Sequence, residues 1–303
     1  MAQDFISYPR TPHMQGSGLQ TGDSDRDIIP LSWLNGRYIT IEEKIDGCNS
    51  GFSFDEGCDG FLQSRGHYLD RSRSVYRERH FNHLKSWFSM HESDFLERLE
   101  DRYITFGEYM GAVHSVFYDA LPHVFLEFDV WDRQESAFLS TRARRDLLKG
   151  LPIAPVPVLF EGVWSKGDEL MDYVRPSLFQ TTDWQNNLQR ACSMVGDDFE
   201  KRLPRLFKGP MSEGLYIKVE DENHVTHRMK FVHPTFVQTI LDANVHWQSQ
   251  IFVPNLLGTP IIGLPDNLVR DPTVSMPEYN ADAPHEWGQA KDALNSRMPA
   301  PRP

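Results

Sequence analysis

Cysteine is scarce in this 303-residue chain, and the three that occur do not suggest pairing. Cys48, Cys58 and Cys192 are odd in number and show no CxxC spacing. That argues against a disulfide framework and against a cysteine zinc site, and it fits a reducing, cytoplasmic setting. Long apolar runs are also missing: no stretch approaches the roughly 18 residues needed to span a bilayer, so no membrane partner is expected. Met1-Ala2-Gln3-Asp4-Phe5 has no basic region leading into an apolar one, so no secretory signal is expected. Among twelve histidines there is no HExxH. The glycine-rich phosphate loops GxxxxGK[ST] and strand–GxGxxG–helix are absent as well. A nucleotide, if bound, is held by another design.

Basic residues are outnumbered. The net charge is −12, from 31 Lys and Arg against 43 Asp and Glu. A protein gripping nucleic acid along its whole surface is expected to be basic. An acidic chain can still bind phosphates where its cations gather, because distant charges are screened. Two gatherings are visible: Arg65, Arg71, Arg73, Arg77 and Arg79, and then Lys201, Arg202, Arg205 and Lys208. Charge alone neither points to nucleic acid nor excludes it.

Residues 1–36 are rich in Pro, Gly and Asp without periodicity and read as an extended leader. From Arg37 the pattern alternates, with Ile39 and Ile41 on one face and Thr40, Glu42 and then Lys44 on the other, which is a half-buried strand. Short strands follow around Phe52/Phe54 and Phe61/Gln63. Phe81, Leu84, Trp87, Phe88, Phe95 and Leu99 then recur at helical spacing. Strand character returns at Tyr103–Glu108 and Val124–Trp131, and a helix is framed by Ser140/Thr141 and Gly150. Prolines confine Ile153–Phe160 to an edge strand or an extended connection. Residues 165–208 read as a helical insertion, Leu215–Glu220 and Val225–Phe231 as paired strands, and 236–250 as a helix before a proline-rich tail. Strands broken by helices in no regular alternation predict an α+β fold of mostly antiparallel sheets.

The chemistry centres on Glu42-Glu43-Lys44-Ile45-Asp46-Gly47, a lysine at a strand end between carboxylates and before a glycine. A lysine amine attacks phosphorus once it is deprotonated and held in place. At its usual pKa of ~10.4 it is protonated at neutral pH, so neighbouring cations and burial are expected to depress it. Alternation in the last strand pair puts Lys218, Arg228 and Lys230 on one face, a cluster that calls for an anion among them. Glu213 is the best-placed carboxylate for a hard divalent cation. Glu108 ends a strand beside Gly107, where ribose hydroxyls are suitable donors, and Phe128 offers an aromatic wall.

Together these stretches resemble the covalent nucleotidyltransferase superfamily of ATP-dependent DNA ligases, RNA ligases and mRNA capping enzymes. Lys44-Ile45-Asp46-Gly47 resembles its motif I, Ser64-Arg65-Gly66 motif Ia, Phe106-Gly107-Glu108 motif III and Phe128-Asp129-Val130 motif IIIa. Glu213 to Lys218 is similar to motif IV, and Arg228-Met229-Lys230 to motif V with an arginine in place of its first lysine. The order and spacing are those of the family over roughly residues 37–232. The segment from Gly107 to Asp129 looks most like bacterial and phage RNA ligases.

The resemblance implies a ligase-type nucleotidyltransferase fold with an ATP pocket between sheets. It implies an adenylyltransferase domain at 37–235 and a small helical segment with a proline-rich tail at 236–303, where no full OB-fold is expected. Lys44 would carry AMP, with Asp46, Lys218 and Lys230 completing the catalytic set. Glu43 would meet the adenine amine, Arg65 and Glu108 the ribose, and Phe128 the adenine ring. Lys218, Arg228 and Lys230 would serve the phosphates, and Glu213 would hold Mg²⁺ or Mn²⁺. The implied activity is ATP-dependent joining of RNA 5′-phosphate and 3′-hydroxyl ends, in RNA repair alongside a separate end-healing kinase or phosphatase. A minimal DNA ligase, a capping-type guanylyltransferase and a non-catalytic nucleotide or RNA-end binding module are the alternatives.

Overall fold

The alternation that begins at Arg37 becomes a seven-residue strand, and a nine-strand path is built on either side of it. The computed structural model describes residues 5–19, 28–71, 75–167, 169–207, 212–243 and 251–258, all within one unit spanning Met1–Arg270. The strands are β1 (His13–Met14), β2 (Ile28–Ile29), β3 (Tyr38–Lys44), β4 (Cys48–Phe54), β5 (Gly60–Ser64), β6 (Tyr103–Tyr109), β7 (Phe125–Asp132), β8 (Ala137–Leu139), β9 (Ala154–Pro155), β10 (Val158–Val163), β11 (Gly214–Glu220) and β12 (His224–Val232). The helices are α1 (Asn82–Leu99), α2 (Thr141–Leu148), α3 (Trp184–Val195), α4 (Phe199–Arg202) and α5 (Pro234–Ala243). Strand order is β10-β3-β11-β12-β8-β7-β6-β4-β5, with every neighbouring pair antiparallel. Among the described strands the short pairings β1–β12, β1–β2 and β7–β9 are parallel. The expected α+β class with mostly antiparallel pairing is what the chain forms. Its two halves are hydrogen-bonded into one path through the three-residue β8 rather than standing as separate sheets.

Each half buries its own core. Phe52 and Phe54 of β4 pack under Leu84, Trp87, Phe88, Phe95 and Leu99, the apolar face of α1. Phe52 lies 4.7 Å from Phe95 and 5.3 Å from Phe88, centroid to centroid. Truncating one such phenylalanine to Ala costs about 3–5 kcal/mol. In the other half, Ile39, Ile41, Leu215, Ile217, Met229 and Phe231 are buried together with Trp164. The strand residues among these are all odd-numbered, so their even-numbered neighbours face the opposite side.

The 165–208 stretch is less helical than its spacing suggested: α3 and α4 are joined to short 3₁₀ turns at Leu170–Tyr173 and Leu203–Arg205. The helical spacing belongs to Leu188, Ala191 and Cys192, buried on α3, and does not extend back through Pro176. The stretch read as an extended leader contributes β1, which pairs with β12 at His13↔Lys230. The helix expected over 236–250 begins at Pro234 and is described to Ala243; residues 244–250 and the proline-rich tail lie outside the described residues.

Candidate active site

A cavity of about 760 Å³ opens between the two halves, and Lys44, at the last position of β3, is on its wall. The register of β3 against β11 pairs Lys44 with Gly214, which brings Glu213 beside the amine. A Cβ on Gly214 would overlap the Phe231 carbonyl oxygen, so only glycine lets β11 and β12 close up at this end. Lys44 Nζ is 2.7 Å from Glu213 Oε1, with the lysine side chain 27% exposed. Beyond Lys44 the chain turns. Asp46 Oδ2 accepts hydrogen bonds from the Ser115 and Val116 amides at 2.6 and 2.9 Å, and the Asp46 amide donates to the Tyr118 hydroxyl at 2.9 Å. The Gly47 amide donates to Glu108 Oε1 at 3.2 Å. Asp46 therefore ties motif-like residues 44–47 to the 115–118 segment and does not itself line the cavity.

Electrostatics around Lys44 run opposite to the sequence expectation. Burial by itself would depress the amine, but the Glu213, Glu108 and Asp46 carboxylates outweigh it and hold Lys44 above its ordinary pKa. The carboxylates are displaced in turn. Burial, opposed by Lys44, pushes Glu213 up to about 7 and Glu108 to about 8. Burial also raises Glu43 to about 7, against hydrogen bonds from Ser177 and Leu178. Several acids crowd one lysine, and the pocket holds more carboxyl oxygen than it has cations to match.

Of the ten residues predicted for the site, Glu43, Lys44, Arg65, Glu108, Phe128 and Lys230 line the cavity. Asp46 and Glu213 stand directly behind Lys44. Lys218 and Arg228, expected among the phosphate-facing cations, do not line the cavity. Lys218 is 0% exposed, 2.8 Å from Glu42 and 3.0 Å from Asp129, and it donates to the Phe128 carbonyl. Arg144 completes this buried cluster, 2.6 Å from Glu42 and 3.4 Å from Glu127. Arg228 sits 3.6 Å from Asp129, over the rings of Phe138 and Tyr8. The face that alternation assigned to these cations is covered by β7, so it is interior at Lys218 and open only at Lys230.

The alternation argument favoured Glu42 over Glu43 for the pocket. Both line it, but Glu42 is taken up by Arg144 and Lys218, whereas Glu43 keeps a buried Oε1 with no hydrogen-bond partner. The extra residue between Val158 and Phe160 lies on β10, opposite Glu42 and Ile41, and β3 keeps regular register with β11 through Glu42 and Glu43. Ser64, of the motif Ia-like stretch, also lines the cavity, as do residues that sequence reading gave no role: Tyr8, Asn49, His67, Glu78, His114 and Tyr216. Tyr216 was visible as the cavity-side neighbour of Lys218. Tyr8, in a stretch without periodicity, gave no signal; it bonds Asp129 and Tyr216 and meets the Phe128 ring edge-on at 5.1 Å.

No group of three or more His, Cys, Asp or Glu that could hold a metal occurs among the described residues. Glu213 Oε2 is nonetheless buried with no hydrogen-bond partner. A single carboxylate of this kind suits a cation such as Mg²⁺, which usually takes one or two carboxylates and fills its remaining positions with water and substrate phosphate.

A strand-end lysine set among carboxylates thus stands on the wall of a cavity in an antiparallel α+β fold. A family model described as RNA ligase matches residues 37–232, more than half of the chain, and the protein belongs to the RNA ligase family. Among solved structures it is similar to a mutant of Naegleria gruberi RNA ligase with ATP and Mn, at 15% identity and TM-score 0.47, covering 77% of this chain and 58% of that one. A second mutant of that ligase, also with ATP and Mn, is 14% identical with TM-score 0.42, covering 79% of this chain and 64% of the other. This chain therefore spans less than two thirds of the length of those ligases. Comparison with curated proteins gives no match.

Proposed function

We propose that this protein is an ATP-dependent RNA ligase that works through a lysyl-AMP intermediate, with residues 37–235 as its adenylyltransferase domain. The observation that carries the reading is the placement of Lys44 on the cavity wall, 2.7 Å from Glu213. Glu43, Arg65, Glu108, Phe128 and Lys230 line the same cavity.

In the first step Lys44 Nζ attacks the α-phosphorus of ATP, a P–N bond forms, and pyrophosphate leaves with the electrons of the α–β bridging bond. Glu213 Oε1 is the acceptor within reach of the departing amine proton. In the second, a 5′-phosphate oxygen of RNA attacks the same phosphorus and Lys44 leaves, giving an adenylylated end. In the third, a 3′-hydroxyl attacks the RNA phosphorus, loses its proton and expels AMP. Phe128 supplies a face for the adenine ring. The unpartnered Glu43 oxygen accepts from its exocyclic amine, Glu108 accepts from ribose hydroxyls alongside Arg65, and Lys230 meets phosphate oxygen. Lys218 and Arg228 act from behind the wall. They hold Asp129 and, through its carbonyl, Phe128.

A divalent cation, Mg²⁺ or Mn²⁺, would be held by Glu213 and would supply charge neutralisation for the triphosphate. No helix among the described residues is long and apolar enough to cross a membrane, and the free cysteines fit a reducing cytoplasm. RNA ends of the required kind would come from a separate kinase or phosphatase activity.

The test is to offer the protein nicked RNA, nicked DNA and open RNA ends with ATP and Mg²⁺. Sealing of RNA through an adenylylated 5′ end supports the reading. Preference for nicked DNA, or a GMP adduct from GTP, transfers the protein to the minimal DNA ligase or capping alternative.

A further inference from the structure

The loop that leaves β6 is buried without being regular. From Met110 to Val124 the chain runs to β7 in turns and bends, and Met110, Val113, Val116, Tyr118 and Leu121 are each at most 4% exposed. A buried segment outside the strand ladders has to find partners for its N–H and C=O groups elsewhere. The 165–208 stretch supplies some: the Phe179 carbonyl accepts from the Asp119 and Ala120 amides, both at 3.1 Å, and the Phe207 amide donates to the Ser115 carbonyl at 2.7 Å. Residues 253–258 supply the rest of the frame, and they lie beyond the 37–232 span of the family match. The Val113 amide donates to the Val253 carbonyl at 2.9 Å and Leu121 to Leu256 at 3.1 Å. In return Leu256 donates to Tyr118 and Gly258 to Leu121, both at 2.9 Å.

Asn255 joins the two arms of this loop. Its Oδ1 accepts from the Tyr118 amide at 2.9 Å, and its Nδ2 donates to the Met110 and Ala112 carbonyls, each at 3.0 Å. A carboxamide has an accepting oxygen and two N–H donors, and both N–H groups and the oxygen are engaged here. One arm, at Met110, continues directly from the strand end that carries Glu108. The other grips the turn after Lys44, through the Ser115 and Val116 amides on the Asp46 carboxylate and the Tyr118 hydroxyl on the Asp46 amide. That turn has no slack against the first arm. A Cβ on Gly47 would come within 2.8 Å of Met110 Sδ and the Tyr109 carbonyl oxygen, and within 2.9 Å of Glu108 Cγ.

We propose that Asn255 is a positioning residue for nucleotidyl transfer: by tying Met110 and Ala112 to Tyr118, it sets the turn at 44–47 that aims Lys44 at the α-phosphorus of ATP. The inference rests on the lysyl-AMP reading and extends it to a residue outside the matched span. Asn255 is not among the residues lining the cavity, so it acts through Tyr118 and Asp46 and touches no reacting atom. Its loss falls on the geometry of attack, where a misplacement of about 1 Å can cost about a hundredfold in rate. The hold on the nucleotide, from Glu43, Phe128 and Lys230, is left in place. Asn255→Asp is the closest probe: it keeps the shape and the acceptor for Tyr118, but sets carboxylate oxygen against two carbonyl oxygens.

The experiment follows a single turnover of lysyl-AMP formation across ATP concentration in the full chain, for wild type, Asn255→Asp, Asn255→Ala, Tyr118→Phe and the double variant Tyr118→Phe with Asn255→Ala. In both Asn255 variants the rate constant at saturating ATP is expected to fall about tenfold or more. The fraction of chains finally adenylylated should stay at the wild-type level, and half-saturating ATP should move by less than about threefold. A folding defect alone does the reverse: it lowers the final fraction and leaves the rate constant of the remaining chains unchanged. Tyr118→Phe breaks the next link while keeping the ring, so it too should slow the step, and its effect should be less than additive with that of Asn255→Ala. Should the Asn255 variants fold poorly, an unchanged rate constant in Tyr118→Phe overturns the inference. An unchanged rate constant in the Asn255 variants, a loss confined to the final fraction or to ATP affinity, or full additivity in the double variant also overturns it, while the ligase reading stands. Wild type that forms no lysyl-AMP overturns both.

Discussion

Lys44 Nζ and Glu213 Oε1 are 2.7 Å apart although 169 positions separate them in sequence. The contact follows from the pairing of Lys44 with Gly214 across β3 and β11. Its consequence is that Lys44 is held above its ordinary pKa: the carboxylates of Glu213, Glu108 and Asp46 overcome the depressing effect of burial. Activation of the amine by neighbouring lysines, the simplest expectation from the sequence, does not describe this site.

Lysyl-AMP formation should therefore rise with pH, because only the neutral amine attacks. Replacing Glu213 by Gln removes the largest influence holding Lys44 up. In Glu213→Gln the rising limb of the pH–rate profile is expected to move to lower pH. The Mg²⁺ concentration for half-maximal rate is expected to increase at least tenfold, because a neutral amide is a poorer ligand. Single-turnover adenylylation across pH at several Mg²⁺ concentrations checks both. A limb that stays in place means that Glu213 does not govern the Lys44 proton.

Stability should fall as pH rises from about 5 to 8. Folded Glu43 and Glu213 titrate at about 7 and Glu108 at about 8, against ~4.3 for an unfolded glutamate. Within this window the folded state holds protons that the unfolded chain has released, so each pH unit weakens folding, and the loss levels off above about 8. Lys44, held above its ordinary value, also makes stability fall as pH rises but only above this window, and the depressed acids Asp129, Asp132 and Glu78 matter only below it. The melting temperature is expected to drop between pH 5 and 8, and to drop less in Glu43→Gln. A flat or rising profile contradicts the assignment.

Lys218 and Lys230 should fail differently. Lys218 is sealed among Glu42, Asp129 and Arg144, and removing one partner of a buried ion pair costs about 3–5 kcal/mol. At ~2–4 °C per kcal/mol for a chain of 150–250 residues, Lys218→Met is expected to lower the melting temperature by about 10 °C along with activity. Lys230→Ala is expected to keep most of its stability and lose adenylylation. Paired melting and adenylylation measurements separate the two, and a stable but inactive Lys218→Met returns Lys218 to the phosphates.

Much of the fold was legible because alternation and helical spacing report which face is buried. The pairing of β11 with β12 across the polar loop at 221–223, and the apolar face of α1, are direct readings of that kind. What alternation cannot report is what covers the other face. It put Lys218, Arg228 and Lys230 together correctly, yet β7 lies over the first two and leaves the third at the cavity. The same limit applies to Glu42 and Glu43, both of which line the cavity although alternation separates them. Tyr8, His67 and Glu78 became visible only through long-range packing, since each sits where the local sequence has no period tied to the site.

The central claim is that Lys44 becomes covalently bonded to AMP. Intact-mass measurement after incubation with ATP and Mg²⁺ tests it most directly. The account predicts a gain of one adenylyl group in the wild-type chain, carried on Lys44 and absent from Lys44→Ala. A folded wild-type protein that gains no mass, or a Lys44→Ala chain that gains the same mass, contradicts it.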